Sequence, residues 1–317
     1  MTLFFRDRFF GLAGMLAWLM IALAARPGAA QQDRFPSRYQ YPVSQYPVRR
    51  VQFREPASQP SQPRGDEFQQ RQQQRFGPQP VARQHPLVPA IAMAHRSMKA
   101  MESIRDYECT LVKRHRNRET GKMRDLQYIQ LRVRHKPFSV YMYFLTPADT
   151  KGQQVLYVEG ANKDSAGKSN LVVQPVGFLK GRLGPFHFPP KHRTVMEGQR
   201  YPITLVGFKN LAVRLIEVAE RDKKFGECDV KFFNKTMVNN RSTTCIQVYH
   251  PVPRDNFRFH IAKIFIDDEL GVPIRYEAYM WPKKPGGKPV LDEEYTYLNV
   301  KTNLGLTDAD FVIRKNK

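Results

Sequence analysis

Apolar positions divide the chain before any motif is sought. An unbroken apolar run from Phe9 to Ala25 follows Arg6 and Arg8 and gives way to Gly28-Ala29-Ala30. A basic start, an apolar middle and small closing residues predict a secretory signal over residues 1–30, cleaved before Gln31. An uncleaved anchor is the rival reading, because the run lies at the short edge of what spans a bilayer. From Gln31 to Pro86 the apolar content collapses: these residues hold 14 Gln, 9 Pro and 9 Arg, no Lys, and the near-repeat YQYPVSQYPV. Such a stretch has too little apolar surface to offset ordering, so it is read as a disordered Gln/Pro/Arg-rich linker.

Regular periodicity begins at Leu87 and marks a single β-rich domain over 87–317. Leu87, Ile91, Ala94, Met98 and Met101 recur at helical spacing, with Arg96, Lys99 and Ser103 on the other side. A second helix is predicted from Leu211 to Lys224, with Asn210 as its cap and Gly226 as its stop. Most of the remainder alternates with the period of strands. These are Tyr107 to Arg116, Leu126 to Arg134, Ser139 to Leu145, Val155 to Glu159, Asp229 to Phe233, Thr244 to His250, Phe257 to Asp267, Ile274 to Met280 and Glu294 to Lys301. Short links such as Glu119-Thr120-Gly121-Lys122 and Glu269-Leu270-Gly271 predict antiparallel neighbours. Between Phe138 and Leu145 both alternating sets are apolar, which calls for cover on both faces of the sheet.

Asn162 to Pro202 breaks this rhythm with Gly, Pro and no sustained period, yet it is too apolar for a solvated loop. It is read as a packed flap or lid, with Phe178, Leu179, Leu183 and Phe186 turned inward. The cavity it would cover is assigned to Met98, Met101, Val140, Met142, Phe144, Phe259, Ile264 and Tyr276. Strand register, which decides the face each occupies, stays open.

The formal charge of +22 changes the picture of partners. Residues 1–30 carry +2 and residues 31–86 carry +5, leaving 22 − 2 − 5 = +15 on the domain. For an exported chain this favours an anionic membrane surface or envelope polymer over nucleic acid. Arg254, Arg258 and Arg275 are candidates for anion contact. The three cysteines, Cys109, Cys228 and Cys245, leave two readings open: a bridge, with Cys228 and Cys245 nearest in sequence, or three buried free thiols.

Recognisable catalytic signatures are missing: there is no GxSxG, HExxH, GxxxxGK[ST] or GxGxxG opening a helix. The densest polar cluster runs from His250 to Glu269, with His250, His260, Asp267, Asp268 and Glu269, and defines an alternative reading as an envelope hydrolase. Its acids lead into a Glu-Leu-Gly turn, where carboxylates commonly bond the backbone. His187 and His192 flank a rigid Phe-Pro-Pro-Lys, but no further ligand completes a metal site. Neither metal nor cofactor is implied.

FRFHIAKIFIDDELGVPIRYEAYMW, Phe257 to Trp281, and LDEEYTYLNVKTNLGLTDADF, Leu291 to Phe311, resemble the C-terminal half of the LolA/LolB-like lipoprotein-carrier superfamily. Within it, MESIRDYECTLVKR, PFSVYMYFLTPADTKGQQVLYVEG and GQRYPITLVGFKNLAVRLIEVAE are similar to an uncharacterised exported bacterial family. The resemblance implies an α+β fold: a strongly curved antiparallel half-barrel with helices on its concave face, able to hold acyl chains; it implies no catalytic residue. The leading expectation is a non-enzymatic periplasmic or envelope protein that binds a lipid or lipidated protein. A basic interaction module and the hydrolase stand as alternatives. If the linker is read correctly, limited proteolysis of the purified protein removes Gln31 to Pro86 first and leaves the chain from Leu87 intact. Protection at Arg49 or Arg64 would contradict it.

Overall fold

The computed structural model of the chain describes residues 84–177 and 184–314. The signal and almost all of the linker lie outside the described residues, as do Phe178, Leu179 and Leu183. Helix α1 (Leu87–Ala100) opens the domain and runs into a 3-10 turn at Met101–Ser103. Strands β1 (Asp106–His115), β2 (Gln127–His135), β3 (Phe138–Phe144), β4 (Gln154–Val158), β5 (Leu171–Gln174) and β6 (Phe186–Phe188) follow. Next come a short helix α2 (Arg193–Met196) and the long helix α3 (Phe208–Asp222). Strands β7 (Asp229–Val238), β8 (Arg241–Tyr249), β9 (Ile261–Asp267), β10 (Pro273–Met280) and β11 (Val290–Thr302) complete the sheet.

All eleven strands join one antiparallel sheet in the order β6-β5-β4-β3-β2-β1-β11-β10-β9-β8-β7. Two meanders therefore meet where the first strand pairs with the last, from Tyr107↔Thr302 to His115↔Glu293. The sheet stays open, with β6 and β7 at its edges. Irregularities interrupt β1–β11 between Glu108 and Thr110, and β10–β11 between Ala278 and Tyr279. Bulges of this kind bend and twist a sheet. Met142 on β3 and Ile246 on β8 border one cavity although six strand spacings separate them. A flat sheet would hold them about 29 Å apart at roughly 4.8 Å per spacing. The sheet is thus curved, and the α+β half-barrel expectation is borne out.

On the concave side, α1 and α3 pack against each other and against β8, β9 and β10 through Leu87, Ala90, Ile91, Ile246, Val248, Ala262 and Ile264. The larger core lies toward β1–β3 and contains Met101, Tyr107, Leu131, Val140 and Phe144. Helix α3 begins three residues earlier than the periodicity predicts. Its first N–H, that of Phe208, donates to the Tyr107 hydroxyl at 3.2 Å, and the two rings stack at 4.2 Å. Gly207 makes this approach possible: its φ is 107°, and a Cβ there would lie 2.6 Å from the Tyr107 oxygen. Asn210, expected as the cap, instead donates its amide to the carbonyls of Thr204 and Val206 at 3.0 Å each.

The second apolar set of β3 faces the convex side, where Tyr141, Leu156 and Val172 are covered by Phe311 from the C-terminal segment. Gln154 donates to the Arg314 carbonyl at 2.7 Å and accepts from its N–H, tying that segment down. Elsewhere the convex face carries paired charges. Arg132 bonds Glu108 at 2.7 Å, and buried Arg275 reaches Glu277, Glu294 and Thr296. Among the described residues no helix is long and apolar enough to cross a membrane.

Asn162 to Pro202 is not a flap throughout, because β5 and β6 within it extend the sheet. Four- and three-residue strands are too short to show a period, so their pairing rather than their pattern identifies them. Two stability predictions follow from the covers and turns. Phe311→Ala should cost about 3 kcal/mol in urea unfolding, as for a buried ring removed without replacement. Asp267→Asn should cost about 2–3 kcal/mol, since Asp267 binds Arg241 and accepts the N–H groups of Glu269 and Leu270. Burial alone would raise the Asp267 pKa, but Arg241 and those N–H groups hold it below the usual 3.8. Its stabilisation is therefore present above that value and lost as pH falls through the lower folded-state value. Acid titration of wild type should show this loss, and the Asn variant should not.

Candidate functional site

The inner face of the sheet and the two helices do not close completely. Between them lies a cavity of about 400 Å³. Its apolar wall comes from the buried sides of α1 and α3 and from alternate residues of β8, β9 and β10. A third wall is a strap, residues 199–206, that crosses from the β6–α2 region to the start of α3. Leu205 and Val213, both exposed, mark the side where the cavity meets solvent.

The strap is fixed to the β1–β11 seam by polar contacts. His115 Nε2 meets the Gly198 carbonyl at 3.0 Å, and Lys113 Nζ donates to Gln199 Oε1 at 2.7 Å. Arg200 pairs with Asp292 at 2.8 Å and lies 3.6 Å from Glu293. The Tyr201 hydroxyl donates to Glu293 Oε1 at 3.1 Å. Burial, with Lys113 beside it, pushes the His115 pKa down to about 4, so its ring is neutral at physiological pH. Burial and Arg124 lower the Lys113 amine to about 8. Burial raises the Glu293 carboxyl and Asp292 adds to this, while Arg200 opposes it. The seam therefore presents a mixed polar border to an otherwise apolar space.

Among the residues assigned to a cavity from sequence, Met142, Phe259, Ile264 and Tyr276 line this one. Met101, Val140 and Phe144 are buried in the larger core, with Met98 packed against it. Phe186 lies on edge strand β6 beside Phe188, and the cover over the cavity is formed by α1, α3 and the strap. Phe178, Leu179 and Leu183 lie outside the described residues. The three arginines are separated: Arg254 pairs with Glu227 at 2.9 Å, and Arg258 borders the cavity. Arg275 sits in the convex network, on the face opposite its neighbour Tyr276.

The His250 to Glu269 cluster is not one site. His260 and Asp267 stand at opposite ends of β9, about 23 Å apart at roughly 3.3 Å per residue. His250 Nδ1 lies 3.1 Å from the Phe259 carbonyl, and His260 Nδ1 lies 2.8 Å from the His250 carbonyl. Asp267 accepts the turn N–H groups of Glu269 and Leu270, and Asp268 accepts from the Ser242 and Thr244 hydroxyls of β8. His192 caps α2 through the Thr194 N–H. No group of His, Cys, Asp and Glu positioned to hold a metal occurs among the described residues. All three cysteines are buried free thiols. Glu293 was missed from sequence, whereas the first part of the strap, Gln199 to Pro202, falls within the segment read as a flap; the further signal available was the run of hydrogen-bonding residues Gln199-Arg200-Tyr201 inside an apolar segment.

No curated protein matches the chain. Solved structures similar to it include a DUF1329 family protein from Desulfovibrio piger, 13% identical over 72% of this chain and 98% of that one, with a TM-score of 0.35. A LolA superfamily protein from Nitrosomonas europaea is 10% identical over 70% and 96%, with a TM-score of 0.29. The lipoprotein LppX of Mycobacterium tuberculosis is 14% identical over 66% and 94%, with a TM-score of 0.36. At these scores the likenesses carry no argument about ligand or activity. A family model is more specific: it spans residues 104–317, well over half of the chain, including the seam, the strap and α3, and the chain belongs to that family, described as a protein of unknown function, DUF1571.

Proposed function

We propose that this domain is a non-enzymatic carrier or sensor of the cell envelope that holds an acyl chain, of a lipid or a lipidated protein, in the concave cavity. The observation that carries the reading is the cavity itself. It is a space of about 400 Å³ walled by Ile91, Leu215, Ile246, Ile264 and their neighbours, within the range of ligand pockets. A linear apolar chain gains from every methylene it removes from water, so such a channel needs no directed chemistry to bind it. The separation of His260 from Asp267 speaks against the hydrolase alternative. The formal charge left after removal of residues 1–30, 22 − 2 = +20, supports docking on anionic envelope surfaces as an accompanying property.

Mass spectrometry of lipids extracted from protein purified out of its native envelope tests the reading directly, with an acyl-bearing species at near-stoichiometric amount as the expected result. Ala262 forms part of the cavity wall and is 1% exposed. Ala262→Phe should therefore fill the space and weaken binding of a fluorescent fatty-acyl probe by about tenfold or more, with an overpacking cost of about 1–3 kcal/mol. Undiminished probe binding in that variant would mean that the chain is not held in this cavity.

A further inference from the structure

Strand direction alternates around the open sheet, so its hairpin turns fall on two opposite rims. On the rim at the start of β1, the turns 136–137, 159–170, 239–240 and 268–272 carry three Lys against four Asp and Glu, 3 − 4 = −1. On the rim at the end of β1, the described turns 116–126, 145–153, 250–260 and 281–289 carry ten Lys and Arg against four Asp and Glu, 10 − 4 = +6, with histidine counted neutral. The turns therefore make the domain electrically one-sided along its strands.

Three of the basic turns are consecutive, because the strands beneath them run β2-β1-β11-β10-β9-β8. Arg116 joins the first turn to the second: its guanidinium donates to the Gly121 carbonyl at 2.6 Å and to that of Leu291 at 2.9 Å. The second meets the third where the His260 ring lies 5.6 Å from that of Trp281. The tips are fixed rather than loose. Asn117 Oδ1 accepts from the N–H groups of Glu119 and Thr120 at 2.8 and 2.9 Å. Lys284-Pro285-Gly286-Gly287 closes through the Gly287 N–H and the Lys284 carbonyl at 3.0 Å, with Gly286 at the positive φ of 69° that a type II turn requires. Arg118, Lys122, Arg124, Lys283, Lys284 and Lys288 are exposed on these two tips and form no ion pair among the described residues. The acids beside them are Glu119 and Asp125 alone; on the third turn Asp255 is exposed and Arg254 is paired with Glu227.

We propose that this rim docks the domain on an anionic phospholipid surface, with the turns 116–126 and 281–289 against the headgroups. Turn tips set side by side along a rim project in one direction, which suits an extended surface better than a single polymer strand. Lys and Arg near such a surface are attracted by its negative potential. At the far end of the same rim Val252 and Phe225 are exposed, apolar groups placed to leave water at the headgroup boundary. The rim also adjoins the cavity: Arg258 and Phe259 border it, and Arg124 lies over Gly198, where the strap begins. Docking would thus bring one end of the cavity to the layer from which an acyl chain comes. The proposal rests on the docking property that accompanies the carrier reading and does not require an occupied cavity.

The test is co-sedimentation of the protein purified from its native envelope with phosphatidylcholine vesicles, with and without phosphatidylglycerol. The difference between the two is the signal, and it should vanish at high salt. Two triple variants remove the same charge from opposite rims: Lys283→Gln, Lys284→Gln and Lys288→Gln on the basic one, and Lys136→Gln, Lys163→Gln and Lys168→Gln on the other. All six lysines are exposed, and none lines the cavity. The first triple should weaken binding to phosphatidylglycerol vesicles by about tenfold or more, and the second far less. Equal losses in the two triples would show attraction to bulk charge and overturn the rim. Wild-type binding that is indifferent to phosphatidylglycerol would overturn docking on an anionic surface. Binding to soluble dextran sulfate that is tighter than to the vesicles, and lost in the first triple, would overturn the lipid surface as the partner. Binding of the fluorescent fatty-acyl probe should be unchanged in both triples, and its failure in wild type would count against the carrier reading alone.

Discussion

The domain depends on a single long-range ladder, the antiparallel pairing of β1 with β11. Each half of the sheet is a meander whose neighbours are close in sequence, but the halves share one sheet only through residues such as His115 and Glu293 that lie far apart along the chain. Closing so large a loop costs entropy, though that cost grows only slowly with length. Here it is offset by a ladder from Tyr107 to His115 and by side chains interlocked on both faces. Arg114 and Arg275 meet Glu294 on the convex side, while the strap anchors to Lys113, His115, Asp292 and Glu293 on the concave side.

The same ladder explains where the cavity lies. Tyr107 on β1 fixes the beginning of α3 by stacking and by accepting the first helical N–H. The strap preceding α3 is held by the neighbouring residues of the same two strands. The helix is therefore placed over the sheet from one end, and its far half leans across β8–β10 against α1. Apolar matter fills the space near Tyr107 and Phe208 and runs out between the strap and the helix pair, leaving the cavity bordered by the seam.

Local pattern revealed what local physics controls. The doubly apolar strand from Phe138 demanded two covers, and it has them: helices and strap within, Phe311 and its neighbours without. Alternation placed Met142, Ile264 and Tyr276 on the cavity face but could not distinguish it from the filled part of the same face, where Val140 and Phe144 reside. That distinction depends on which distant segment arrives opposite each residue. Glu293 illustrates the limit. In sequence it is one of three consecutive acids, Asp292-Glu293-Glu294, with nothing to show that one faces outward to arginines and its neighbour inward to a cavity. Likewise Asn210 has the composition of a helix cap, yet Gly207 and Tyr107 start the helix a turn earlier.

An open sheet also has two unpaired borders, and the strands there are poor templates. Strand β6 offers only three residues. Strand β7 is longer, but its pairing with β8 slips between Phe233 and Thr236, Lys235 there takes a positive φ of 56°, and Lys231 and Lys235 are exposed along it. Kinks and lysines on a border strand discourage edge-to-edge growth with a second molecule. An open half-barrel lacks the protection against edge-to-edge growth that closure into a full barrel would give, and at β7 an irregular pairing and two exposed lysines stand in its place.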